Sequence, residues 1–407
     1  MMNDLMKEVK VIDAIMGSGK TTDEIERMKK SKRSFLYVTP FLEEVERILE
    51  NVPDTYEPKS THYKNYKGEI ESTYKKDSLL RYANSKTNLV TTHSLFSRLH
   101  KKDYSFFNEY DLILDEVITP IKVIDMKSDD IDIAFRDGLI VVNDDNGEVS
   151  YTGENYNGKL YAELKMFCET SNVTYVNDRL LVWTFPPEIF ISFNSVTVLT
   201  YLFEGSLLAS YFKYYKIPYK VNKVSTNEEF KIKQEVAKNL TIYEGIANKY
   251  GDLNTAFSVN WLKKRKPNEL KSIKTATANL VWKKFKTTSD KTAFTTFKAF
   301  KGKLKGKGYS RGFITVNERA TNKYGDKETM IYLANMFLNP KYVDFFRSGG
   351  VEVNQDDWAK GELLQWIWRG SIRNNKKMNL YIPSKRMRNL LLNWLYDFNI
   401  EKLNKAA

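Results

Sequence analysis

The sequence predicts an α/β protein with mainly parallel sheets, folded as two domains in tandem. Three observations lead there. Short apolar runs alternate with amphipathic helical ones through the N-terminal half, the pattern of strand–helix–strand units. A glycine-rich turn, 14-AIMGSGKTT-22, joins the first of these strands to the first helix. The chain, at 407 residues, exceeds what one ordinary hydrophobic core supports.

The elements follow in order. Val9–Ala14 is the first strand. Phe35–Thr39 is the second, ended by Pro40 and followed by a helical run from Phe41 to Leu49. Leu89–Thr92 and Asp111–Leu114 supply a third and fourth, and the polar, tyrosine-rich stretch Tyr56–Lys76 between reads as loop and short helix. Residues 121–165 carry ten acids against five bases. Within them Leu139–Val142 and Val149–Thr152 flank Asp144-Asp145-Asn146-Gly147, a turn signal, so a small acidic β-hairpin insertion is expected. Val196–Leu202 is a further buried strand, and a helical run from Ser206 to Tyr215 leads to Pro218. The domain boundary falls near residue 220, giving domains of 1–220 and 221–407. In the second, Leu240–Tyr243, Ala293–Phe297, Phe313–Val316 and Met378–Ile382 are expected as strands, and Met330–Leu338 and Gly361–Arg369 as helices.

Composition narrows the class. No apolar run has the length of a membrane span, and the N-terminus lacks the apolar core of a signal peptide. Cys168 is the single cysteine and reads as a small buried residue; with only His62, His93 and His100 beside it, a structural zinc site is not expected. These features point to a reducing, cytoplasmic setting. Net charge is +13, and it is local. From Trp261 to Arg311 there are 16 Lys and Arg against 2 acids, a balance of +14, so the rest of the chain sums to 13 − 14 = −1. Aromatic residues interleave this block, which suggests a surface for a polyanion, nucleic-acid phosphates above all. Lys301, Lys303, Lys305 and Lys307 alternate with Gly302, Gly306 and Gly308 at its end and are expected in a flexible loop that moulds onto a backbone.

The glycine-rich turn is built to hold phosphate. Gly17 and Gly19 allow positive φ and close backbone approach, and a helix N-terminus brings its N–H groups and dipole to the same place. Gly17, Ser18, Gly19, Lys20, Thr21 and Thr22 form the expected cradle for ATP. In it Lys20 reaches the β/γ-phosphates and the Thr21 hydroxyl binds Mg²⁺. A second half of the chemistry follows in 111-DLILDEV-117, where two carboxylates end an apolar strand. Asp115 would hold the Mg²⁺ and Glu116 would polarise the attacking water. Phosphoryl transfer also calls for positive charge on the γ-phosphate, and 365-QWIWRGSIRN-374 offers Arg369 and Arg373, on one face if that segment is helical.

Together these segments resemble a known family. Ala14–Thr21 resembles motif I of superfamily 2 helicases, 115-DEVI-118 their DExD/H motif II, and 365-QWIWRGSIR-373 their motif VI, with the second arginine one position late. The segments 37-YVTP-40 and 91-TTHSLF-96 resemble the motifs between, and 199-LTYLFEGS-206 stands where motif III would be. The stretches 309-YSRGFITVNERATNKYGD-326 and 379-NLYIPSKRMRNLL-391 are similar to a divergent phage-encoded group of these helicases. The resemblance implies two RecA-like domains with ATP between them: Lys20, Asp115 and Glu116 on one, Gln365, Arg369 and Arg373 on the other. It implies nucleic acid across Thr39, Thr92 and His93 on one side, and Arg319, Asn322 and the basic block on the other. The function expected is a nucleic-acid-dependent ATPase that unwinds or translocates, with DNA favoured over RNA, acting in phage replication or recombination beside proteins of those processes. A motor that moves without separating strands and a nucleotide-gated binding module with little turnover are the alternatives.

Overall fold

The computed structural model describes residues 7–64, 70–144, 147–153, 156, 158, 160–169, 172–177, 180–223, 226–316 and 322–406. They form two compact units. The first holds the described residues of Met1–Ala14, Gly19–Lys223 and Asn339–Val353; the second holds those of Ile15–Ser18, Val224–Leu338 and Asn354–Ala407.

The first unit is built on a seven-stranded sheet, parallel throughout. Its order is Tyr219–Lys223, Val9–Asp13, Ser195–Thr200, Asp111–Asp115, Phe35–Thr39, Asn88–Thr92, Thr55–Tyr56. Phe35–Thr39 and Asp111–Asp115 are buried at every position, which is why they read as unbroken apolar runs and not as alternating ones. On one face Tyr37 and Ile113 pack with Ile25, Met28, Val45 and Ile48. On the other, Leu36, Val38, Leu112 and Leu114 enter a larger cluster with Phe96, Phe107 and Leu208.

Three features differ from the expectation. The Tyr56–Lys76 stretch holds an antiparallel pair, Thr61–Lys64 with Ile70–Thr73, before the Lys75–Asn84 helix. The departure after Asp115 runs past residue 165. Its strand Leu180–Thr184 is fully buried and pairs back onto both Ile121–Ile124 and Val173–Val176, and Trp183 packs between Phe167 and Phe185 at ring distances of 5.4 and 5.0 Å. Ile140–Val142 and Val149–Tyr151 form a short antiparallel pair within it; Asp145 and Asn146 of its turn lie outside the described residues. Finally, a boundary near 220 misses the return of Asn339–Val353 to the first unit. Its helix Pro340–Ser348 stacks Phe345 on Tyr214 at 4.6 Å.

The second unit has a four-stranded parallel sheet in the order Leu240–Ile242, Met378–Tyr381, Thr329–Tyr332, Thr292–Thr295. Met330–Leu338, expected as a helix, begins as the third of these strands and carries no helix. A run apolar at every position but Asn335 has no period to separate the two readings, and burial on both faces of Thr329–Tyr332 decides for strand. Phe313–Val316 is not a full strand; Phe313 makes an isolated parallel bridge to Phe294. Among the described residues, no helix is long and apolar enough to cross a membrane.

Candidate active site

The site grows from the carboxyl ends of the central strands, where open α/β sheets gather ligands. Val9–Asp13 runs into the glycine-rich turn, and the helix Lys20–Lys30 starts immediately after Gly19. Gly17 and Gly19 both have φ of 84°. A Cβ at either would meet nothing within 4 Å, so conformation, not space, selects glycine there. The helix takes no side-chain cap at its N-terminus, and its buried Ile25 and Met28 fix it to the sheet. Lys20 folds back over the turn and donates from Nζ to the Ala14 carbonyl at 3.3 Å. Thr22 is drawn aside: its hydroxyl accepts from Arg47 Nη2 at 3.0 Å.

Asp13 was not singled out in the sequence. Its carboxylate accepts from the backbone N–H of Leu202 at 2.7 Å and of Phe203 at 3.3 Å, and Ala14 N donates to the Thr200 carbonyl at 2.9 Å. Backbone bonds to a charged group contribute about 1.5–3 kcal/mol each. They tie the root of the glycine-rich turn to the loop after Ser195–Thr200, where Leu202 is held at φ 58°.

Asp115 and Glu116 end the neighbouring strand and divide in character. Asp115 is buried, and Thr39 Oγ1 donates to its Oδ2 at 3.3 Å. Burial pushes its carboxyl up to about 7, the charges of Glu116 and Glu44 push the same way, and Lys20 opposes them. Glu116 is only half-buried. Its φ is 63°, in the left-handed region, and its N–H donates to the Leu199 carbonyl at 2.8 Å. A non-glycine residue held there is strained by roughly 1–3 kcal/mol, the kind of strain that collects at functional sites.

This donor set suits a divalent cation. The acids around Asp115 outweigh Lys20, and a cation relieves that excess. Among the described residues no group of three His, Cys, Asp or Glu side chains could hold a metal alone. Thr21 and Asp115 offer a hydroxyl and a carboxylate, the oxygen donors that a hard ion takes beside phosphate and water.

The residues expected to touch nucleic acid from this unit are engaged internally. Thr39 is wholly buried, and its hydroxyl is spent on Asp115. Thr92 Oγ1 accepts from Leu95 N at 3.4 Å and caps the His93–Phe96 turn. His93 Nε2 donates to the Asp115 carbonyl at 3.1 Å, fastening that turn to the acidic strand.

In the second unit the helix Gln355–Ile367 ends before the arginines, so Arg369 and Arg373 do not share a helical face as expected. Gln365 lies half-buried in the last turn. Arg369 is 3% exposed, and its positive charge is felt at Tyr332. Arg373 is exposed on the short turn Ser371–Asn374. Further on, Arg386 is a structural anchor: it donates to Asp356 Oδ1, Asn335 Oδ1 and the Met336 carbonyl at 2.6–2.9 Å.

The glycine-lysine segment is ordered, contrary to the expected flexible loop. Lys301–Leu304 is a helical turn, and Leu304 and Tyr309 are fully buried on either side. Lys301 Nζ lies 4.4 Å from the Phe313 ring centre. Lys301, Lys303, Lys305 and Lys307 all remain exposed. Arg319 lies outside the described residues; Asn322 opens the short turn Asn322–Tyr324.

With this geometry in place, comparison with known proteins adds kinship. The chain is 38% identical to the SPbeta prophage-derived protein YonV of Bacillus subtilis (strain 168), over 96% of this chain and 99% of that one. The chain belongs to the YonV family. Residues 234–395 match the family described as the YonV C-terminal Rossmann-like domain, and residues 121–183 match the YonV middle domain. The middle-domain match spans the antiparallel strands that follow Asp115, and it too passes residue 165. Among solved structures, this YonV-family chain is similar to Xpd4 of S. tokodaii, with a TM-score of 0.48 and 12% identity, over 96% of this chain and 95% of that one. It is also similar to a hypothetical ATP-dependent RNA helicase from Sulfolobus tokodaii, with a TM-score of 0.27 and 12% identity, over 93% and 88% of the two chains.

Proposed function

We propose that this protein is a nucleic-acid-dependent ATPase of the superfamily 2 helicase type, acting on DNA in a phage setting. In this reading its two units are RecA-like domains. The observation that carries the reading is the pair of carboxylates ending the Asp111–Asp115 strand, in the same unit as Lys20. One is buried and short of positive charge; the other is held in a strained backbone next to it.

The residues divide the work. The turn 14–20 and the N-terminus of the Lys20–Lys30 helix bind the triphosphate, with Lys20 released from the Ala14 carbonyl to a phosphate oxygen. Thr21 and Asp115 hold Mg²⁺, which neutralises phosphate charge when bound. Glu116 orients and polarises the water. Arg369 or Arg373 stabilises charge on the transferred phosphoryl group, the more exposed Arg373 being the better placed to move. Asp13 couples the phosphate turn to the Leu202 loop, so a change at the nucleotide reaches a second strand end.

Phosphate release measured with no polymer, single-stranded DNA, single-stranded RNA and blunt duplex DNA tests the proposal. Stimulation by single-stranded DNA supports it. Hydrolysis that ignores every nucleic acid, or none at all, refutes it.

A further inference from the structure

The basic block of the second unit contains a feature that charge alone does not explain. Leu280–Phe285 continues the helix Pro267–Asn279 as a π-helical turn, a rare geometry that is frequent at functional sites. The turn buries Leu280 and Val281 and presents Trp282, Lys283 and Lys284 to solvent. Trp282 is 52% exposed, large for an indole that could have been placed in a core. It is also held in place from the side. Gly308 has φ of 91°, and a Cβ there would come within 2.7 Å of the Trp282 Nε1, so the lysine-bearing segment 301–308 closes against the indole edge and leaves a ring surface open.

The same segment meets the same helix at its other end. Arg265, Leu270, Lys271 and Lys274 line a cavity of about 330 Å³ together with Gly302 and Lys303. Lys274 precedes Trp282 by eight residues along the same helix and its π-helical end. A track of cations thus ends at an open aromatic face.

We infer that Trp282 is a base-stacking platform for single-stranded nucleic acid, flanked by a phosphate track of Lys271, Lys274, Lys283, Lys284, Lys303 and Lys307. Aromatic rings take any base by its π-face, and lysines follow the backbone without reading sequence. In a duplex the faces of interior bases are already stacked, so the platform selects single strands. The inference rests on the nucleic-acid-dependent reading above.

Binding of a fluorescent oligothymidine and of a blunt duplex to the full chain, by anisotropy over a series of salt concentrations and without nucleotide, tests it. Loss of one stacked base weakens binding about 5- to 150-fold. Trp282→Ala should show that loss on the oligothymidine with an unchanged salt slope, while its affinity for duplex and its basal ATP hydrolysis stay at parental values. Trp282→Phe should recover much of the affinity. Lys283→Gln with Lys284→Gln should lower the salt slope by about 1.4. Equal oligothymidine affinity for parent and Trp282→Ala overturns the platform, as does an equal loss on duplex. A parent chain that binds no nucleic acid overturns the functional reading itself.

Discussion

Replacing Asp115 with Asn should make the nucleotide-free, metal-free protein more stable at neutral pH. The Asp115 carboxyl is buried beside Glu116 and Glu44, and ionises only near pH 7 instead of the ordinary 3.8. Each pH unit of difference corresponds to 1.36 kcal/mol, so the ionised carboxylate costs about 4 kcal/mol at most. The sign follows from proton binding. Between about pH 4 and 7 the folded protein holds this proton and the unfolded chain does not, so the Asp115 contribution to stability falls as pH rises and is fully lost above about 7. Asparagine keeps the shape and an acceptor for Thr39 and has no charge to bury. At about 2–4 °C per kcal/mol for a unit of this size, the variant should melt higher by up to roughly 8–16 °C at pH 8, with the two chains converging near pH 4. Thermal unfolding of both chains in chelator across that range is the assay. Curves that stay parallel from pH 4 to 8 would refute the buried, charge-crowded carboxylate. Mg²⁺ with ATP should raise the parent at pH 8 and leave the variant nearly unmoved.

Other outcomes follow from the same geometry. Glu116→Gln should retain binding of ATP with Mg²⁺ and lose hydrolysis, seen by nucleotide titration beside phosphate release; loss of binding would make Glu116 structural. Arg373→Ala should slow turnover by roughly a thousandfold with little change in ATP affinity or melting temperature, whereas Arg369→Ala, at a buried position, should lower the melting temperature as well. Converting Lys301, Lys303, Lys305 and Lys307 to Gln should reduce the salt slope of DNA binding by roughly 3 while basal hydrolysis persists; an unchanged slope would return these lysines to a solubility role.

The parts of this site that the sequence reveals are the contiguous ones. The glycine-rich turn and the Asp115–Glu116 pair each lie within a few residues, and their spacing alone suggests the proposed chemistry. Asp13 is different. Its partner Leu202 is 189 residues away, and nothing local marks a carboxylate that will accept two distant N–H groups. Thr39 shows the opposite failure: a polar residue at a strand end looks available, yet the strand is buried to its last residue. The parallel sheet of the first unit is legible because its central strands are continuous apolar runs, while its edges, Thr55–Tyr56 and Tyr219–Lys223, are short and polar enough to pass for loop. Met330–Leu338 and the glycine-lysine segment depart from expectation for related reasons. An apolar run has no period, and glycines suggest freedom where Leu304 and Tyr309 in fact anchor the chain on both sides.

Steady-state phosphate release by the parent chain and by Lys20→Ala, in Mg²⁺ and ATP with saturating single-stranded DNA, tests the central claim most directly. The charge of Lys20 already acts on Asp115 across the proposed site. The account predicts DNA-stimulated turnover in the parent and none above background in the variant, with both chains folded and both still binding DNA. Equal turnover in the two would contradict it.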